Sequence, residues 1–342
     1  MRPERDFSEF LKVLRREGKP RYLPFYEHFA SGGFMATRTG MPLDKIPMSD
    51  DRFWKIYVDF WVGMGYDNVP LEIGLNCPMP AGHGAQSEES EAKVVFRSIE
   101  DFEKYPWPDE SSPINFAPFE AVSKFLPPGI KIVGGVGGGP YEWASRMLGV
   151  VGLSYALVDQ PELVKLVFER LGRLHLSGVT QIASMDGVGA LRQGDDLGFK
   201  TSTFLSPTQL TQYVFPIYTR MAAAAHVAGK PFILHSCGNL GKVYNDLIDT
   251  CKIDAKHSFE ETIMPVEDFK ALYGKRITPI GGLDVDLICR GTPDEIRAYT
   301  RRKIELCFAD GYYALGTGNS LTNYMPVENY MIALEEGLKI TG

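Results

Sequence analysis

A histidine and a cysteine stand two residues apart at the end of the apolar stretch PFILHSC, residues 231–237. Alternate side chains of a strand point to the same face, so His235 and Cys237 can converge on one ion. Both residue types bind zinc, and a catalytic zinc site takes three protein ligands. We expect Glu72 as the third ligand, with Asp195 and His257 as alternatives. The competing interpretation is a hydrogen-bonded histidine at the end of a buried strand, beside a small buried cysteine.

Two adjacent carboxylates, Asp195 and Asp196, follow the apolar stretch GALRQGD at 189–195. Neighbouring acids beside a buried strand are costly unless they meet solvent, a cation or a substrate. We therefore expect them to be catalytic, as a general acid or base or as a group that orients a ligand histidine. The alternative is a helix cap, or a salt bridge with Arg192 or Lys200.

Titratable residues end two further candidate strands. His257 lies in KHSFEE, beside Glu260 and Glu261, and Glu27 and His28 end the first candidate strand. Histidine changes its protonation near neutral pH, so we expect His257, Glu27 and His28 to be catalytic. The alternative for Glu260 and Glu261 is a place in the first turn of the following helix, where negative charge is favourable.

Aromatic residues make up 12% of the chain, and several lie near the ends of candidate strands. Such rings can wall an apolar or aromatic substrate, although rings in this position also pack loops onto the rim of a sheet. The residues that we expect to contact substrate are Phe25, Tyr26, Tyr141, Trp143, Thr317 and Asn319.

These candidate residues are far apart in the sequence, so they can meet only if the fold brings the ends of several strands together. The chain alternates strand, turn and helix about eight times, which is typical of a parallel sheet covered by helices. The expected strands are 21–29, 66–73, 130–136, 189–195, 231–237, 253–259, 276–283 and 311–317. The expected helices are 50–63, 161–185, 206–228, 240–251, 265–273, 292–309 and 326–338. The stretch 77–129 is rich in Pro, Ser and acids, and we expect an irregular excursion with a small helix there.

Composition and charge narrow the classes of function. A chain of 342 residues with 44% hydrophobic and 23% charged residues predicts one large globular domain over residues 1–342. The net charge of -7 argues against a nucleic-acid partner. No apolar run reaches the roughly 18 residues of a membrane span, and the charged N-terminus is unlike a signal peptide. Five scattered cysteines predict reduced thiols, and we expect a cytoplasmic protein, with a homodimer as an open alternative.

A glycine run, GGVGGGP at 134–140, follows the third candidate strand. It lacks the Lys-Ser/Thr pair of a phosphate-binding P-loop, and EHFASGGF after the first strand does not fit a dinucleotide-binding fingerprint. The glycines therefore favour a tight turn at the mouth of a barrel over a phosphate site.

Three stretches together resemble the uroporphyrinogen decarboxylase (URO-D) superfamily. They are KIVGGVGGGPYEWAS, the helix and strand end SPTQLTQYVFPIYTRMAAAAHVAGKPFILHSCGN, and GGLDVD with ALGTGNSL, and the resemblance runs from Tyr22 to Leu338. It implies an α/β fold, a (β/α)8 TIM barrel with its active site at the C-terminal ends of the strands. It also implies one of two activities: cofactor-free decarboxylation of a tetrapyrrole, or methyl transfer to or from corrinoid proteins or thiols, often with zinc.

The sequence departs from the decarboxylase pattern. A substrate with eight carboxylates needs cationic partners, which the decarboxylases supply in an early R-Q-x-G-R motif, whereas this chain has FYEHFASGG at 25–33. The family's early aspartate is replaced by Glu72, and the histidine of its last strand by Thr317. Thr317 or a neighbour also occupies the place of the second zinc-binding cysteine of the methyltransferase branch, so that motif is incomplete.

The resemblance therefore favours a corrinoid-dependent methyltransferase. We expect it to take a methyl group from a small methylated compound, such as a methoxylated aromatic in an O-demethylation, and to deliver it to a separate cobalamin-binding corrinoid protein. Zinc or an acid would help the poor alkoxide leaving group to depart. The alternatives are a decarboxylase acting on another acid and a non-catalytic barrel that binds a corrinoid or tetrapyrrole.

Overall fold

A computed structural model describes residues 4–80 and 94–340, so part of the expected excursion, residues 81–93, lies outside the described residues. Within the described part, six parallel strands form one sheet in the order β1-β2-β3-β4-β5-β6. The strands are β1 (Asn68–Gly74), β2 (Lys131–Gly137), β3 (Val188–Gly194), β4 (Phe232–His235), β5 (Ala255–His257) and β6 (Thr278–Pro279). With two further extended segments they form the expected (β/α)8 barrel.

The first and last expected strands, 21–29 and 311–317, are corrected to extended segments that complete the ring between β6 and β1. We call these two segments the seam. Isolated parallel bridges join Ile280 to Ala314 and Leu315 to Phe25, in place of regular ladders. Part of the reason is local, because Pro24 has no N–H to donate and the Thr317 N–H bonds to a side chain instead.

The barrel interior is filled at its N-terminal end by the first helix, α1 (Phe7–Arg15), which the sequence analysis had not predicted. The Thr278 hydroxyl donates to the Val13 carbonyl of this helix at 2.9 Å, which ties α1 to the barrel floor. Side chains from successive strands and from the segments between β6 and β1, most of them small or branched, meet the helix there, so polar chemistry is left to the opposite, C-terminal end. These floor residues are Tyr26, Val133, Ala190, Ile233, Ala255, Ile280 and Ala314.

Helices cover the outside of the barrel, and six of the seven expected helices are confirmed within a few residues. The helices are α1, α2 (Gly32–Thr39), α3 (Asp51–Gly63), α4 (Ile99–Lys104), α5 (Ala117–Ser123), α6 (Pro140–Leu148), α7 (Val150–Asp159), α8 (Pro161–Ala183), α9 (Phe215–Val227), α10 (Val266–Tyr273), α11 (Val285–Arg290), α12 (Pro293–Cys307) and α13 (Val327–Leu338). A short turn, Pro207–Gln209, and a π-helical turn, Leu210–Val214, lead into α9.

The helix expected at 240–251 is reduced to a short helical stretch whose main part is a π-helical turn, Asp246–Thr250. The excursion carries two short helices, α4 and α5, where one was expected. Ser206 and Thr292 form capping boxes at the starts of their helices, with Gln209 and Glu295 as the partners three residues later. Across the described residues, no helix has both the length and the apolar character needed to cross a membrane.

Candidate active site

Three polar side chains converge where β3 and β4 end. The ligand atoms of Asp196, His235 and Cys237 all lie within 4.8 Å of one another. His235 Nε2 is 3.6 Å from Cys237 Sγ and 3.7 Å from Asp196 Oδ1. The parallel pairing of Gly194 with His235 brings these two strand ends together. The backbone N–H of Cys237 then donates to Asp196 Oδ1 at 2.9 Å, which fixes the carboxylate beside the thiol.

The third position of this cluster is held by Asp196 and not by Glu72, which the sequence analysis had preferred. Glu72 Oε1 lies 3.1 Å from Arg192 Nε, and Glu72 Oε2 lies 3.6 Å from His28 Nε2. The reason is topological, because Glu72 lies on β1, whereas Asp196 follows β3, the neighbour of β4. Burial raises the pKa of Glu72 to about 7 even though Arg192 opposes this shift.

Asp195, the immediate neighbour of Asp196, is buried and caps helix α6. Its carboxylate accepts hydrogen bonds from Tyr141 N at 3.1 Å, Glu142 N at 2.9 Å and the Tyr218 hydroxyl at 2.7 Å. Burial, and then the nearby charge of Glu142, raise the pKa of Asp195 to about 8. The structure therefore separates the two adjacent acids, one under a helix terminus and the other in the cluster.

Three histidines form a column beside the cluster. The rings of His28 and His235 stack with centroids 3.8 Å apart, and His235 Nδ1 lies 2.7 Å from His257 Nδ1. His257 Nε2 is 2.9 Å from the Thr317 carbonyl oxygen. Burial lowers the pKa of His257 to about 3 and holds the pKa values of His28 and His235 well below their ordinary range. Burial therefore favours the neutral form of all three imidazoles.

Glu27 is buried in the seam. Its carboxylate accepts hydrogen bonds from the Thr317 N–H at 2.5 Å, the Thr317 hydroxyl at 2.7 Å and the Tyr330 hydroxyl at 2.8 Å. The Tyr330 hydroxyl also lies 2.5 Å from the Tyr66 hydroxyl. Burial raises the pKa of Glu27 to about 7. The contacts place Glu27 one residue removed from the histidine column, since Thr317 stands between them.

The residues expected to contact substrate lie in different environments. Phe25 and Tyr26 are fully buried, Phe25 against Tyr66 and Tyr26 against the His257 ring, with centroids 5.7 and 5.2 Å apart respectively. Both therefore pack inside the fold, away from the mouth of the barrel. Asn319 is exposed, and its amide nitrogen lies 3.5 Å from Cys237 Sγ, beside the cluster.

Tyr141 and Trp143 lie at the start of α6 and are largely buried. Trp143 Nε1 donates to the Gly137 carbonyl at 3.0 Å, which ties the helix to the end of β2. Tyr141 stacks on Phe204 with centroids 5.6 Å apart, and Phe204 contacts Phe199 at 5.3 Å. Phe199 and Phe204 are about half exposed, and the sequence analysis missed both because neither ends a strand.

A buried lysine on β5 was also missed. Lys256 Nζ donates to the carbonyl of Ser236 at 3.2 Å and to that of Ser258, and it lies 4.5 Å from the Phe259 ring centroid. Burial lowers its pKa to about 8. Burial also raises the pKa of the Cys237 thiol to about 12. A lysine inside the predicted strand at 253–259 was the signal that the sequence offered.

The chain is similar to known proteins in sequence and in fold. The family model described as uroporphyrinogen decarboxylase (URO-D) matches residues 29–336. Among solved structures, a methyltransferase from Methanosarcina mazei is similar with a TM-score of 0.69 and 18% identity, over 97% of each chain. A glycosylated endo-beta-1,4-xylanase from Gloeophyllum trabeum has a TM-score of 0.49 and 11% identity, over 95% of this chain and 98% of its own. No curated protein matches the sequence. At 18% identity, the similarity to the Methanosarcina mazei structure supports the barrel fold alone.

Proposed function

The chain belongs to the uroporphyrinogen decarboxylase family, and from this premise we propose that it is a zinc-dependent methyltransferase serving a corrinoid protein. The observation that carries the proposal is the convergence of Asp196, His235 and Cys237. The Methanosarcina mazei structure, described as a methyltransferase, supports the same reaction class. The methyl donor we propose is a small methylated compound, specifically a methoxylated aromatic.

The donor set of the cluster fits zinc. An imidazole, a thiol and a carboxylate are ligand types that zinc accepts, and three protein ligands leave a position for a substrate atom. The side chain of His235 is 7% exposed, whereas that of Asp196 is 43% exposed. The cluster thus lies at the boundary between the barrel interior and the open mouth, where a substrate can approach from one side.

When bound, the ion would supply Lewis acidity at the heteroatom that carries the methyl group. In the proposed reaction the methyl group would pass to the reduced corrinoid of a partner protein, and the electron pair of the broken C–O bond would stay on the departing oxygen. That oxygen needs a proton. Glu72 is half-buried with a pKa raised to about 7, so a fraction of the molecules hold a transferable proton at neutral pH.

The aromatic residues near the cluster support an aromatic donor. Phe199, Phe204 and Tyr141 form a row of contacting rings, and the Asn239 N–H donates to the Phe199 carbonyl at 2.9 Å. This hydrogen bond ties the row to the loop that follows Cys237. Rings in such a row can stack on a flat substrate and exclude water from one of its faces.

The proposed partner reaches the cluster from the open end of the barrel, since α1 fills the other end. All five cysteines are free thiols, which supports the cytoplasm as the proposed compartment. A homodimer remains part of the proposal as an alternative to a monomer. The charge of -7 continues to disfavour a nucleic-acid partner.

The test is an assay of the purified protein with a methoxylated aromatic and a reduced corrinoid protein. We expect methyl-cobalt and the free phenol to form together, and Asp196→Ala to slow their formation by about two orders of magnitude or more. The control is Lys200→Ala, an exposed residue on the loop after β3. Release of carbon dioxide from a carboxylated substrate without corrinoid would replace this proposal by the decarboxylase. Corrinoid binding without either turnover would replace it by the non-catalytic barrel.

A further inference from the structure

The hydrogen bonds of the histidine column extend into the seam and determine where the protons of the column lie. We propose that Thr317 and His257 form a relay that holds the proton of His235 on Nδ1, and that Glu27 positions this relay by fixing Thr317. The three are positioning residues for the nitrogen that faces Asp196 and Cys237. The proton positions do not depend on the proposed zinc site. Only the expected effect on zinc affinity rests on the proposed function.

The relay begins with the backbone of Thr317. Both its N–H and its hydroxyl donate to the Glu27 carboxylate, at 2.5 and 2.7 Å. Thr317 lies in a segment joined to its neighbours by isolated bridges, such as the one with Leu283. A regular ladder therefore does not set its position, and Glu27 takes over that role. The Tyr330 hydroxyl, 2.8 Å from Glu27, holds the carboxylate in turn.

The Thr317 carbonyl oxygen sets the proton of His257. This oxygen accepts from the Gly282 N–H at 3.0 Å and lies 2.9 Å from His257 Nε2. A carbonyl accepts hydrogen bonds and never donates them, so His257 Nε2 must carry the proton in this contact. A neutral His257 then presents a bare Nδ1.

His257 in turn sets the proton of His235. The two Nδ1 atoms are 2.7 Å apart, so one of them must donate and the other accept. Among the ion pairs of the described residues, none involves His257, and the nearest charged side chain on its own strand is the cation Lys256. These surroundings disfavour a charged His257. His235 Nδ1 is therefore the donor.

The consequence is a bare lone pair on His235 Nε2. This nitrogen lies 3.6 Å from Cys237 Sγ and 3.7 Å from Asp196 Oδ1. Histidines that bind metals usually donate their other N–H to a carboxylate or a carbonyl, which fixes the tautomer and the ring orientation. Here the acceptor is the His257 imidazole, whose own N–H donates to the Thr317 carbonyl.

The direct test is long-range ¹H–¹⁵N NMR on the full-length, metal-free protein labelled at histidine, with His235→Gln used to assign the resonances. We expect His235 to be protonated at Nδ1 and bare at Nε2, and His257 to have the opposite tautomer. A His235 ring that is bare at Nδ1, or protonated on both nitrogens, overturns the relay. This measurement needs no variant of the relay residues and does not depend on activity.

Two matched variants test the consequence for zinc, measured by competition with a chromogenic chelator. His257→Gln keeps an amide N–H for Thr317 and a carbonyl for His235, whereas His257→Phe keeps only the ring. We expect His257→Phe to lower zinc affinity about 10- to 100-fold, and His257→Gln to stay within about threefold of the parent. Glu27→Ala should weaken binding and Glu27→Gln should restore it.

The outcomes separate the two proposals. A parent protein with the expected tautomers that binds no zinc supports the relay and contradicts the zinc-dependent function. If the parent protein binds zinc, and His257→Phe and His257→Gln bind it with equal affinity, the relay is contradicted and the proposed function is unaffected. Circular dichroism of each variant shows whether a weakened affinity reflects loss of the fold, and the NMR tautomers of the parent decide the relay in that case.

Discussion

The two sides of the barrel position their polar side chains by different means. On the β3–β4 side, the backbones pair in register from Leu191 with Phe232 to Gly194 with His235, and this ladder brings Asp196 to Cys237. In the seam, isolated bridges replace the ladder, and the buried carboxylate of Glu27 supplies the hydrogen bonds of Thr317. A ladder survives the loss of a side chain, whereas the seam depends on its side chains. Substitutions of Asp196, His235 or Cys237 should therefore remove chemistry with little loss of stability, and those in the seam should change stability.

The largest effect on zinc affinity is expected when two members of the cluster are removed. His235→Ala combined with Cys237→Ala should lower zinc affinity by at least about a thousandfold, because only one of three ligands remains. Elemental analysis and chelator competition measure the loss. The melting temperature of the metal-free protein should change by only a few degrees, because the ladder is intact. Cys289→Ala is the matched control and should keep its zinc; full loading of the double variant would place the ion elsewhere.

The neighbouring acids Asp195 and Asp196 test the comparison within one side. Asp195→Ala leaves two helix N–H groups and the Tyr218 hydroxyl without their acceptor, and should lower the free energy of unfolding by about 2–4 kcal/mol. Asp196→Ala removes a half-exposed carboxylate and should cost about 1 kcal/mol or less in the metal-free protein. Urea unfolding at one pH measures both. A larger loss for Asp196 would contradict the assignment of Asp195 as the cap.

The buried carboxylate of Glu27 should make the stability of the seam depend on pH. The pKa of Glu27 is raised from 4.5 to about 7 by burial, so its contribution to stability is full below pH about 4.5 and is lost as the pH rises through 7. Glu27→Gln does not titrate, and its amide N–H can donate to the Thr317 hydroxyl. The difference in unfolding free energy between parent and variant should change by about 1–3 kcal/mol between pH 5 and pH 8.

Urea titrations at several pH values measure this difference, and Glu336→Gln is the control. The pKa of Glu336 is lowered to about 2, first by the hydrogen bond from Arg301. Its contribution is therefore already full at pH 5 and lost only under more acidic conditions, so the difference caused by Glu336→Gln should stay constant across the same range. A constant difference for Glu27→Gln would show that Glu27 is ionised throughout.

The smallest expected effect comes from a single hydroxyl. Tyr330→Phe removes the donor to Glu27 and should lower the free energy of unfolding by about 1 kcal/mol. It should also raise the pKa of Glu27 further, because the charged carboxylate loses a hydrogen bond. The pH dependence of the unfolding free energy should then shift to higher pH. Tyr313→Phe is the matched control, since the buried Tyr313 hydroxyl has no hydrogen-bond partner among the described residues. Equal losses in the two variants would contradict the role of Tyr330.

Several features followed from the sequence alone. The strands β1 to β5 lie where the apolar stretches end in polar or glycine residues, and the capping boxes at Ser206 and Thr292 start the predicted helices. Such signals are local, because a strand alternates every two residues and a cap acts within one turn. The same local rule brought His235 and Cys237 to one face of the chain.

Only the tertiary structure decided which distant residues join them. The sequence offered Glu72, Asp195 and His257 as third ligand, whereas strand order placed Asp196 beside Cys237, Asp195 under α6 and His257 behind His235. Strand order, helix placement and the bonds of the seam depend on packing between segments as much as 303 residues apart, as between Glu27 and Tyr330. Local periodicity does not predict such pairings. The type of a residue determines which groups its side chain can bond, whereas the fold determines which partner lies beside it.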